Sequence, residues 1–288
     1  MNRISTLFVL AIALFLASCV ESNNNSQVVQ VTDNNEGELI KIEGKIFSLP
    51  SPVQAAILLR NANSKYNENL LHPSSKSKTY TSNFKKAINL GIYGSDLAYL
   101  TNFNSSTKSA EYFKTVEEIA SDMGITSSMD PALLKRFYDN LNNRDSLYAL
   151  NSEFFRVANA YLKDVNQEEQ AALILTGGWL EALHLCIDAA ETDKTVRRRV
   201  GEQKASLTSL IELLSLSTEP STIELKTDLE GLDTAYESIT SEYTYVQPIP
   251  DPQNKTTHIR SKSMVEVSDE QLKALKEVVT TIRTKVTA

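Results

Sequence analysis

Glu181, His184 and Asp188 stand at i, i+3 and i+7 in the stretch 170–190, QAALILTGGWLEALHLCIDAA, so a helix there carries all three on one face. An imidazole flanked by carboxylates is metal-ligand chemistry, and Glu-x-x-His is half of the carboxylate-bridged two-metal pattern of helical bundles. The other half requires a second Glu-x-x-His and two further Glu ligands. The other candidate helix offers Asp96-Leu97-Ala98-Tyr99 instead, so no metal is expected. A core histidine satisfied by its neighbouring carboxylate is the simpler reading of His184. Nucleophilic chemistry is weaker still, because the chain has three histidines and none lies beside a recognisable Ser or Cys motif. Gly-x-Ser-x-Gly, P-loop and dinucleotide fingerprints are all missing from the sequence. No residue is therefore assigned a catalytic role, and no cofactor is expected. What remains is a binding pocket: Tyr93, Asp96, Tyr99, Trp179, Glu181 and His184 would line one, with aromatic walls and a few polar anchors, if the two glycine-bearing helices cross.

The elements that must position these residues are apolar rods. Between 171 and 187 the only acidic or basic side chains besides the Cys186 thiol are Glu181 and His184. A helix apolar on every side is expected to be buried, with the domain wrapped around it. Gly177, Gly178 and Glu181 interrupt it, and it reads as too short to span a bilayer. Its partner, expected over 81–102, holds FKKAINLGIYGSDLAYL, in which Ala87, Gly91, Gly94, Ser95 and Ala98 form a ridge of small side chains that lets another helix approach closely. Laying LGIYGSDLAYL over TGGWLEALHLC aligns Gly91 with Gly177, Tyr93 with Trp179 and Leu97 with Leu183. A duplicated helix pair, packed with its glycine notches facing, explains this echo; chance likeness between two buried helices explains it almost as well.

The rest of the body reads as further helices, with a short strand or extended segment over 39–49 before them. Ser51-Pro52 opens a helix that fades near Asn67, and 70–79 reads as a loop, with His72 a loop histidine. Amphipathic helices follow over 108–123, stopping at Gly124, from the Asp130 cap with Pro131, and over 145–165. Asn166 is expected to cap the central helix. A helix over 195–216 carries the run Arg197-Arg198-Arg199, most simply a solvated face. Pro220 starts another to about Thr240. The proline-bearing segment 243–267 is a long loop, a disordered excursion or a weak hairpin through 257–260 and 264–267, and it holds His258 without a partner. Ser268 and Gln271 match a capping box that opens a last helix to about Val286.

Few glycines and prolines favour helices over a strand-rich sandwich, and 41% hydrophobic content supports a real core. The expected class is all-α, a single bundle of about eight or nine helices over 49–288. A net charge of -7 gives no electrostatic reason to bind nucleic acid, which is discounted as a partner.

The chain begins MNRISTLFVLAIALFLASC, a positive start and an apolar run of signal-peptide length. Its Leu16-Ala17-Ser18-Cys19 resembles the lipobox of bacterial lipoproteins. That resemblance implies removal of 1–18 and acylation of Cys19, which would hold the protein to a lipid bilayer. Residues 19–48 then form a polar tether, and Cys186 is the one other cysteine, so no intrachain disulfide is expected. The segments SPVQAAILLR, KAINLGIYGSDLAYL, VEEIASDMGI and TGGWLEALHL together resemble a family of helical lipoproteins of Bacteroidota-type bacteria, over about 49–191 and more weakly beyond. The resemblance implies a cell-envelope location and a helical fold; it brings no reaction, cofactor or catalytic residue. The outer membrane is the default residence, since Val20 and not Asp follows Cys19. The expectation is an acylated envelope protein with a noncatalytic binding or scaffolding role, its partner a small-molecule ligand or another envelope protein. The alternative is a helical-bundle enzyme or metal-binding protein using Glu181, His184 and Asp96.

Overall fold

The computed structural model describes residues 38–42, 45–49, 51–103, 105–251, 256–258 and 262–288. Residues 1–18, expected to be a signal segment, Cys19 and most of the expected tether lie outside the described residues. The body is all-α, with ten helices among the described residues and three short antiparallel ribbons. A hairpin of β1 (Glu38–Ile42) and β2 (Lys45–Leu49) precedes them, where the sequence suggested one strand.

Helix α1 (Pro52–Asn61) starts with the full capping box, Ser51 and Gln54 each satisfying the other's backbone N–H. It ends well before Asn67, because Asn63 adopts φ 51° and the Asn63 and Ser64 amides return to the Arg60 and Leu59 carbonyls. This is a Schellman stop with asparagine in glycine's usual place. Helix α5 (Arg144–Asp164) ends in the same way, Asn166 at φ 56° with the Asn166 and Gln167 amides on Lys163 and Leu162. Asn166 therefore terminates α5 and does not cap the central helix α6 (Glu168–Ala190), whose N-cap is Gln167.

Helices α2 (Asn83–Thr101) and α6 are the axis of the fold, and residues 87–101 of α2 are all buried. They run in the same direction, for their contacts advance together from Gly91 at Ile174 to Ser95 at Gly178 and Asp96 at Glu181. The glycine notches do face each other, and reciprocally. A Cβ on Gly91 would fall 2.0 Å from the Ile174 carbonyl oxygen, and one on Gly177 would fall 1.9 Å from that of Ile88. Each glycine thus sits on the carbonyl three residues before the other. With 23 residues α6 is long enough to cross a bilayer, so shortness is not what argues against spanning; its apolar window is 83% buried within the fold.

Helices α3 (Ser106–Asp122), α4 (Pro131–Asp139) and α5 pack on the α2 side, where Phe113 stacks on Phe137 at 3.6 Å and Phe154 meets it edge-on. On the other side the helix expected over 195–216 is two: α7 (Lys194–Gly201) and α8 (Lys204–Leu214). The break falls at Gly201, where a Cβ would meet Val265 and Val267 at 2.6 Å. Arg197 is no solvated charge: its guanidinium caps the end of α6 through the Ala190 and Glu191 carbonyls and pairs with Asp269.

After α9 (Pro220–Tyr236), the expected long loop is a nested ribbon. Strand β3 (Ser241–Thr244) pairs with β6 (Lys262–Val265), and inside it β4 (Ile249–Asp251) pairs with β5 (Thr256–His258). This register differs from the hairpin the sequence suggested. Pro250 is tolerated because a two-stranded ribbon consists entirely of edges. Helix α10 (Asp269–Thr287) then closes the chain, opened by the Ser268–Gln271 capping box.

Candidate functional site

Asp96 and Glu181, one turn beyond the glycine crossing on α2 and α6, are both fully buried. Each carboxyl stands in the other's electrostatic field, and among the described residues no cation but Arg283 stands beside the pair. Arg283 of α10 reaches in with a two-pronged grip on Glu181, Nε to Oε2 at 2.6 Å and Nη2 to Oε1 at 2.8 Å. The same Nη2 donates to the Leu70 carbonyl at 2.9 Å. Asp96 Oδ2 accepts the His72 backbone N–H at 3.0 Å; among the described residues no N–H or O–H is directed at Oδ1.

The polypeptide between α1 and α2 is a strap laid across this acid pair. It contains two turns of 3-10 helix, Glu68–Leu70 and Ser74–Thr79, and its backbone is tied down by side chains from below. Tyr99 accepts the Asn67 amide at 2.9 Å and donates to the Lys65 carbonyl at 3.2 Å. Tyr112 donates to the His72 carbonyl at 2.9 Å, and Tyr93 to that of Pro73 at 2.8 Å. The strap's own His72 ring lies against Tyr93 and Tyr80, its Nε2 2.5 Å from the Tyr80 hydroxyl. The tyrosines spend their hydroxyls on backbone carbonyls that would otherwise be buried unsatisfied. The helix-α10 end is locked in the same way, Lys85 and Asn89 donating to the Val286 carbonyl.

Burial dominates the electrostatics. It pushes Asp96 well above the ordinary carboxylate range, helped by the Glu181 charge and opposed by Arg283. His72 is pushed down to about 4, first by burial and then by the Arg283 charge, and His184 is lowered for the same two reasons against the pull of Glu181. Tyr80 is raised to about 12 by burial.

Of the six residues expected to line one pocket, the structure gathers Asp96, Glu181 and His184, with Tyr93 and Tyr99 beside them. Trp179 points elsewhere, its indole N–H donating to Gln203 Oε1 at 3.2 Å at the α7–α8 junction. The pocket reading is corrected further by what fills the space: the strap and Arg283 occupy it. Glu181 satisfies Arg283, not His184, because a guanidinium takes both carboxylate oxygens at once. With both oxygens so engaged, Glu181 is not free to ligate, and among the described residues no group of three His, Cys, Asp or Glu side chains is placed to hold a metal. His72 does lie in a loop, between the two 3-10 turns, and it is buried there. His72, Tyr80, Tyr112 and Arg283 had no role in the sequence reading. Arg283 left one trace, standing four residues after the buried Val279 on the flank of the apolar stripe of α10.

Cys186 is buried and its thiol is pushed up to about 12 by desolvation alone, as expected of a structural cysteine. In native protein near neutral pH it should resist a disulfide reagent for as long as α6 stays packed, and react at once in denaturant. Prompt labelling of the native state would contradict this placement. Comparison with protein families, with curated proteins and with solved structures finds no match to this chain.

Proposed function

We propose that the chain is a lipid-anchored envelope protein, similar to the helical lipoproteins of Bacteroidota-type bacteria, whose folded body acts as a noncatalytic scaffold for another envelope protein. The observation that carries the noncatalytic reading is that four of the six candidate pocket residues are already engaged: Glu181 by Arg283, Tyr93 and Tyr99 by the strap backbone, Trp179 by Gln203. A catalytic or ligand-binding centre keeps polar groups free for its substrate; here they hold the protein together. The anchoring part rests on Leu16-Ala17-Ser18-Cys19 and on the apolar run before it. A scaffold needs an outward face, and Tyr245, Ile249 and Met264 on the ribbon are among the most exposed large apolar side chains described, at 67%, 45% and 55%.

Cys19→Ser tests the anchor. The wild-type protein is expected in the membrane pellet and in the detergent phase on phase separation, and the variant in the aqueous phase. A variant that still sediments with membranes would sink the lipoprotein reading. Crosslinking from position 245 or 264 in cells tests the scaffold: a discrete protein adduct that persists in His184→Ala supports it, and ligand-dependent stabilisation abolished by His184→Ala would favour a small-molecule site instead.

A further inference from the structure

The buried cluster is one positive charge short. Two carboxyls, Asp96 and Glu181, face one guanidinium, Arg283, in a space from which the strap excludes water. Both Glu181 oxygens are taken by Arg283, and Asp96 Oδ2 is taken by the His72 amide. Asp96 Oδ1 is the one carboxyl oxygen left without a donor, and the acid beside it, just beyond the same helix crossing, is Glu181. Two ionised carboxylates in one buried space repel, whereas one proton held between them leaves a single negative charge that Arg283 balances.

We propose that Asp96 and Glu181 share a single proton in the folded protein, and that losing this proton as pH rises releases the strap over 65–80, making the cluster a latch that opens on the alkaline side. Every group facing Asp96 fits this direction. On its own helix Tyr93 and Tyr99 are neutral hydroxyls committed to strap carbonyls, and Tyr112 of α3 is another. Glu181 and His184 come from α6, Arg283 from α10, and His72 and Tyr80 from the strap and its end. Arg283 is the sole cation among them at neutral pH, His72 and His184 both being held neutral by burial.

The sign follows from linkage. Asp96 binds its proton more tightly in the closed state than in the open one, so its contribution to closure is complete at low pH and is lost as pH rises through the closed-state value. His72 acts oppositely. Its closed-state value is lowered from 6.5 to about 4, so closure weakens as pH falls across that interval, because the open strap takes up a proton that the closed one refuses. Between about 4 and 6.5 the two effects offset each other, and above 6.5 the Asp96 loss acts alone, so closure weakens on the alkaline side.

The His72 amide, whose acceptor is Asp96 Oδ2, reports the latch directly. Hydrogen exchange of the full-length protein, corrected for the intrinsic pH dependence of the amide, should show His72 protection falling by about tenfold per pH unit above 6.5, for as long as the closed state keeps the proton that the open one has given up, and levelling off once the closed state loses it too. The Leu180 amide in the middle of α6 should keep its protection throughout. In Asp96→Asn the side-chain N–H replaces the shared proton and the side-chain carbonyl still accepts from His72, so protection should hold across the alkaline range. Wild-type protection that stays flat from about pH 6 to about pH 10 overturns the latch, as does an Asn variant that loses protection in parallel with the wild type. Simultaneous loss at His72 and Leu180 would mean global unfolding, which also overturns it. If the Asn variant does not fold, the wild-type series decides alone.

Discussion

Arg283→Met is expected to cost about 3–5 kcal/mol of folding stability, the range for removing one partner of a buried ion pair. The arginine side chain is 16% exposed and its partner Glu181 not at all, so water cannot replace the guanidinium. Three hydrogen bonds disappear together, two to the Glu181 carboxylate and one to the Leu70 carbonyl. What remains is worse than their absence: two buried carboxyls with no cation between them. Methionine keeps an unbranched apolar stem like that of arginine and lacks its polar end, so most of the loss comes from the missing charge and hydrogen bonds. Denaturant titration of the two proteins measures the difference. Arg283→Lys should recover only part of it, since a single ammonium cannot grip both oxygens and also reach Leu70. Combining Arg283→Met with Glu181→Leu should recover much more, because an apolar pair of similar volume removes the stranded charge. A loss below about 1 kcal/mol, the range of exposed pairs, would show that the cluster is open to solvent and that the strap does not seal it.

The contrast between Arg283 and the glycines shows what the sequence makes legible. Gly91 and Gly177 were readable as contact points because small residues recur along α2 and both glycines sit in runs too apolar to face water. Helix termini were readable wherever the signal is local, as at Ser51, Asp130 and Ser268. Asn166 misled because asparagine serves equally as an N-cap and as a left-handed terminator, and only the Gln167–Leu162 hydrogen bond decides. The buried ion pair was half visible. Glu181 stood out in an apolar run, but its partner comes from 102 residues further along the chain, on a helix whose other face is ordinary and charged. His72 was hidden by its company, since a Pro and Ser-Lys context signals a loop. Nothing local tells a loop in solvent from one strapped over a core by three tyrosines. The ribbon escaped for a related reason: prolines at 248, 250 and 252 argue against strands in a sheet but not in an isolated pair of edges.

The same substitution, glycine to alanine, should act with opposite sign at two helical positions. Gly177→Ala places a methyl group 1.9 Å from the Ile88 carbonyl oxygen and 2.9 Å from its carbon, and both atoms belong to the backbone of a buried helix. No rotamer relieves this, so α2 and α6 must move apart. Separation would break the 2.7 Å bond from Ser95 to the Gly178 carbonyl and pull Asp96 away from Glu181 one turn further on. The helix-propensity gain of about 1 kcal/mol from alanine is swamped, and the net loss should reach about 3 kcal/mol or more. Gly231 in α9 is exposed and a Cβ there would meet nothing within 4 Å. Gly231→Ala should therefore stabilise by roughly 0.5–1 kcal/mol, the cost of glycine inside a helix returned without any steric charge. Thermal and denaturant melts of the two variants against wild type make the comparison. If Gly177→Ala is neutral, the two helices are not in backbone contact, and the acid pair that depends on their spacing is not where it is described.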